Sequence, residues 1–213
     1  MFDDKIFGNP VKHESAFVSS KTTVIGRVII DENAYISPAV CLRADEGSPF
    51  RISKGTNVQD GVIFHGLLDE FVEVKGEKYS IYIGSHCSLS HGALIHGPTE
   101  IQKKTFVGFR VIIHCSSIGR NCFIDFNAVI KNSVIGNNCH IGIGAIVTGV
   151  EIEDDRYIPD GVVVNEKTMA KTLARIPKEY AEKDKAFNRY VVDYNKKLVE
   201  LYKQRREAKK NGN

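Results

Sequence analysis

Residues 83–113 read IGSHCSLSHGALIHGPTEIQKKTFVGFRVII, and an aliphatic residue falls at every sixth position: Ile83, Leu89, Ile95, Ile101, Val107 and Ile113. The same spacing extends in both directions. Upstream lie Val18, Val24, Ile30, Ile36 and Leu42, then Ile52, Val58 and Phe64. Downstream lie Ile118, Ile124 and Ile130, then Ile135, Ile141 and Val147. A period of six is not helical and outlasts any single strand, so it predicts a solenoid of short strands that turns a corner after each hexad. With three hexads to a coil, equivalent residues stack about 4.8 Å apart, the spacing between neighbouring strands. The fold class is therefore mainly β, a parallel β-helix of hexapeptide repeats.

Two interruptions, one after Leu42 and a longer one after Phe64, read as loops pushed out at corners. In the longer one, Val72–Ile83 has the alternation of a hairpin around Lys75-Gly76-Glu77. With the loops set aside, Leu42, Phe64 and Ile95 share a face in successive coils. The residues that follow them, Arg43, His65 and His96, form one outward column, which His114 continues. Two positions past Val58 and Leu89 come Asp60 and His91, a second column facing away from the first. A threefold assembly would set one chain's first column against its neighbour's second. Arg43 would then meet Asp60, and His65 and His96 would meet His91. Three neutral imidazoles holding zinc leave a fourth position for water. Such a metal lowers the pKa of that water from about 15.7 to about 7. Fe2+ and Co2+ suit the same donors as Zn2+. A lone histidine is more often a polar surface group, and it is the convergence of the columns that argues for a site.

At these residues the chain resembles the gamma-class carbonic anhydrases. Arg43-Ala44-Asp45-Glu46-Gly47 is similar to their RxDEG motif and Asn57-Val58-Gln59-Asp60-Gly61 to their NxQDG motif. His65, His91 and His96 match the metal-binding histidines in order and spacing. The resemblance covers residues 15–165. It implies a left-handed coil, against the usual right-handed crossover, and a homotrimer with metal at each interface that hydrates CO2 to bicarbonate through a metal hydroxide. It also implies an interface ion pair of Arg43 with Asp60, a hydrogen bond from Gln59 to the reacting water, proton handling by Glu46, and Asn195 lining the CO2 pocket. The chain departs from the best-known members in its shorter loop after the first histidine, where Leu68 stands at the position of their proton-shuttling glutamate. A scaffold homologue that keeps metal but turns over little, and a hexapeptide acyltransferase, are the competing expectations.

At 213 residues the chain fits one domain plus an appendage: residues 1–165, an irregular lead-in followed by the β-helix from residue 17, and residues 166–213, a helical segment packed on it. In that segment, 166–177 reads as a short helix and 178–208 as a longer one, with Phe187, Val191, Tyr194, Leu198 and Leu201 as the apolar stripe facing the β-helix. A net charge of +3 with no basic and aromatic platform argues against nucleic acid. The segment MFDDKIFGNPVKHES has no apolar run for a signal or membrane span. Five cysteines, an odd number without CxxC spacing, suit reduced thiols in a cytoplasmic protein, with Cys115 read as a small buried group. His13, His86 and His140 have no partner on the grid and read as surface residues, His114 as a polar corner residue, and the KQRREAKK tail as solvated.

Overall fold

The computed structural model describes residues 8–211, with side chains to residue 205. Met1–Phe7 of the expected lead-in lie outside the described residues, and so do the side chains of the basic tail from residue 206. Three parallel sheets of eight short strands form the sides of a β-solenoid, a left-handed parallel β-helix with a C-terminal helix. The register is the one the hexads require. Leu42 pairs with Phe64, Phe64 with Ile95, and Val58 with Leu89. Leu42, Phe64, Ile95, Ile113, Ile130 and Val147 are fully buried, because every strand turns that residue towards the axis. The solenoid starts earlier than residue 17, since Val11–Lys12 already pairs with Val28–Ile30. The hairpin is present as Val72–Val74 against Glu77–Tyr79. Lys75 and Gly76 both have positive φ, the backbone that a two-residue turn demands.

The outward faces of the sheets differ. One sheet presents Ile29, Arg51, Tyr82, Glu100 and Ser117. A second presents an aromatic ladder that includes Phe17, Tyr35, Phe106, Phe123, His140 and Tyr157. The third carries two ladders side by side. Cys41, Ile63, Leu94, Ile112, Val129, Ile146 and Val163 form one; Arg43, His65, His96, His114, Lys131 and Thr148 form the other.

Helix α1 spans Lys167–Thr172 and α2 spans Lys178–Asn211. Helix α2 runs down the aromatic ladder. Tyr180 meets Tyr157 and His140, Phe187 meets Phe123 and Phe106, and Tyr202 stacks on Phe17 at 4.3 Å. The expected apolar stripe only borders the buried one. Phe187 packs on the ladder and Val191 and Leu198 are half-buried, but Tyr194 and Leu201 are 54% and 59% exposed, whereas Asn188, Val192, Asn195 and Val199 are buried. The helix is turned to bury two asparagines, each with a backbone carbonyl to satisfy: Asn188 donates to His86 O and Asn195 to Val191 O. His140 is likewise no surface residue. It is 6% exposed, and its Nδ1 lies 2.8 Å from Asp184 of α2.

Candidate metal centre

His65 and His96 end adjacent strands and their Cα atoms are register partners. His65 Nδ1 lies 3.2 Å from His96 Nε2, with the rings edge to face. The other nitrogen of His65, Nε2, is buried and has no hydrogen-bond partner. Glu46 Oε1 approaches it to 3.4 Å without hydrogen-bonding geometry. His96 Nδ1 lies 3.1 Å from the Gly97 carbonyl oxygen, so the nitrogens this pair could turn to a metal are His96 Nε2 and the orphaned His65 Nε2.

The loop carrying Glu46 is seated by glycine. A methyl group on Gly66 would stand 2.5 Å from the Gly47 carbonyl oxygen, so only a bare Cα at 66 lets the 45–47 loop close against the histidine sheet. Within that loop Asp45 takes both Nη2 and Nε of Arg43, at 2.8 and 3.2 Å. Burial pushes the Asp45 carboxyl upward, but the hydrogen bond from Arg43, its own backbone amide and the guanidinium charge outweigh burial and hold it below the usual range.

His91 stands at a different corner, as the two-column reading requires, and it is half exposed. Its Nδ1 is 3.3 Å from Asp60 and its ring packs against Phe109. Gln59 donates to Asn57, whose amide donates to Ser88. Asn195 faces the aromatic-ladder sheet rather than the histidine sheet of its own chain. It lies between the levels of Phe187 and Tyr202, where the ladder narrows to Asn57 and Ser88. The single chain thus brings together His65, His96 and Glu46, and separately Asp60 with His91. Arg43 is held by Asp45.

Two features carry more in the structure than their place in the sequence pattern gave them. His114 is more than a polar corner residue: its ring stacks on His96 at 4.8 Å. Burial, then the neighbouring His96 and Lys131, push its pKa down. Cys115 is only half-buried, with its thiol donating to Gly97 O. His96, His114 and Cys115 place one donor atom each within 4.8 Å of one another. The second feature is the apolar ladder beside the histidines. Its signal was available in the apolar residue preceding each core residue, since a strand covered on both faces reads as a continuous apolar run.

A parallel β-solenoid carrying paired imidazoles and an adjacent carboxylate defines a class of β-helix proteins with a histidine cluster on one sheet, and sequence comparison narrows it. The chain is 34% identical over 205 residues to a carbonic anhydrase of Methanosarcina thermophila, covering 92% of this chain and 75% of that protein. It is 45% identical over 108 residues to the carboxysome assembly protein CcmM of a Nostoc species, half of this chain but only 20% of that one. The chain belongs to the gamma-class carbonic anhydrase family. No family model matches it. Among solved structures, a hexapeptide transferase family protein from Anaplasma phagocytophilum shares the fold, with a TM-score of 0.57 at 18% identity over 91% of this chain and 92% of that one.

Proposed function

We propose that the protein is a homotrimeric carbonic anhydrase whose metal sits between subunits, on His65 and His96 of one copy and His91 of the next. The observation supporting this is the bare sheet itself. Its histidine ladder runs beside an apolar ladder in which Ile63, Ile112, Ile146 and Val163 are 38–46% exposed. A contiguous apolar strip of that kind marks an interaction surface, and a closed threefold arrangement would cover every copy's strip at once. The donors suit Zn2+, Fe2+ or Co2+, and the orphaned His65 Nε2 fits a ligand role.

When bound, the cation supplies a hydroxide nucleophile at neutral pH for attack on CO2. The chain's own residues do the rest. Asp60 stands 3.3 Å from His91 Nδ1, which leaves Nε2 as the nitrogen for a metal. Its second oxygen is left for Arg43 of the neighbour. Gln59, anchored through its Nε2 to Asn57, has its amide oxygen free to orient water or substrate. Glu46, half exposed at 3.4 Å from His65, is placed to take a proton and release it to solvent. Asn195 would contribute to the wall of the CO2 pocket through its sheet's edge.

His91→Ala should lower CO2 hydration, followed by stopped flow with Zn2+ and anaerobically with Fe2+, by about a thousandfold or more, since it removes a metal ligand. Wild-type protein should hold close to one metal per chain. The second reading is a metal-binding scaffold of low turnover. Leu68, at 71% exposure on the loop after His65, puts an apolar side chain where a proton carrier would be useful. Bound metal with no hydration in any metal form would favour that reading. An acyltransferase has only the fold in its support. No helix among the described residues is long and apolar enough to cross a membrane; we place the protein in the cytoplasm on the character of its thiols.

A further inference from the structure

The strongest unassigned feature lies at the opposite corner of the helix-covered sheet, between α2 and the turn column of Gly55, His86 and Lys104. A cavity of about 260 Å³ opens there, and a second of about 330 Å³ adjoins it through His86 and Lys196. Lys104, Lys185, Arg189 and Lys196 line the first cavity, while Lys54 and Lys203 extend the positive wall along the second. The acidic residues facing this space are few. Asp193 is engaged by Lys196 at 3.2 Å, Glu32 pairs with Lys54 outside the cavity lining, and Glu200 lines the second cavity. With Lys196 matched by Asp193, the first cavity keeps three cations, Lys104, Lys185 and Arg189, with no carboxylate in its lining to match them. Burial, then Lys196, Lys104 and Lys54, drive the His86 ring towards its neutral form, against a smaller pull from Asp193.

A further observation points to a ligand. Asn188 is 5% exposed, and its amide is fixed by donation to His86 O. Its oxygen is left buried without a partner, and a buried acceptor is unfavourable to leave unsatisfied.

We propose that this cleft binds a small phosphorylated molecule that also offers a hydrogen-bond donor to Asn188. A carboxylate carries one charge, whereas a phosphate monoester carries about −1.5 to −2 at neutral pH and matches a guanidinium set among several ammonium groups. The space, closed by the helix on one side and the solenoid on the other, suits a small molecule. Neither the metal centre nor the carbonic anhydrase reading enters this argument.

Calorimetric titration at constant ionic strength, with inorganic phosphate and with glycerol 3-phosphate, tests the proposal. Both Lys104 and Arg189 are exposed, so Lys104→Gln/Arg189→Gln should fold with unchanged circular dichroism and bound metal. Saturable binding should weaken by about a hundredfold or more in the double variant, each lost charged hydrogen bond contributing about tenfold. Tighter binding of the ester assigns the donor to a ligand hydroxyl. Equal binding assigns the site to free phosphate, whose own O–H meets Asn188. Absence of saturable binding for both probes, or equal affinity in wild type and variant, overturns the proposal.

Discussion

Two sheets of the solenoid have the same length, register and buried core, yet one is covered by its own chain and the other is bare. The aromatic-ladder sheet is roofed by α2, with Phe187 on Phe106 and Phe123 and with His140 held by Asp184. The histidine sheet has an equally apolar outward ladder, Ile63 to Val163, and no element of the chain over it among the described residues. The inward faces contribute stability in the same way, so the difference lies in what each outward face is for. The first is finished by folding. The second carries the paired histidines, and under the proposed function its apolar ladder is covered by a second copy of the protein.

Three outcomes would sharpen or break this contrast. The largest effect belongs to Ile112→Glu/Ile146→Glu on the bare sheet. Each isoleucine buried in an assembly is worth about 1.5–3 kcal/mol, so association should weaken by about a thousandfold or more. Light scattering should show monomers with native circular dichroism and little bound metal; an unaltered trimer would remove the apolar ladder from the interface. An intermediate effect is expected under the roof. Asp184→Ala leaves His140 without its buried partner and should lower stability to urea by about 3 kcal/mol. Metal binding should survive, since the pair lies on the other sheet. The smallest effect concerns thiols. Cys87 is buried and its thiol is pushed up to about 12, and Cys122 and Cys139 are buried with it. These should stay unreactive to a disulfide reagent at pH 8 in both trimer and dissociated variant. Cys41, in the apolar ladder, and Cys115 are half-buried and should react faster once the subunits separate.

The columns were legible because a period of six fixes which residue points inward, and its neighbour then points outward in register. Arg43, His65, His96 and His114 fall in line by counting alone. What escaped depends on contacts without local periodicity. His140 finds Asp184 44 positions away. The buried face of α2 includes Asn188 and Asn195, which an apolar count discards, while Tyr190 and Tyr194 remain out in solvent at 68% and 54%. The apolar ladder was written in the sequence as Ile112-Ile113 and Ile146-Val147, but hexad counting attends only to the second residue of each pair.

The loop bearing Glu46 rests directly on naked main chain at Gly66. One added carbon there would press on the Gly47 main chain and on Ser80, and would lever the loop carrying Glu46 off the sheet that bears His65. A protein arranged in this way is vulnerable at a position with no side chain at all, and a survey of damaging changes that looked only at polar residues would miss it.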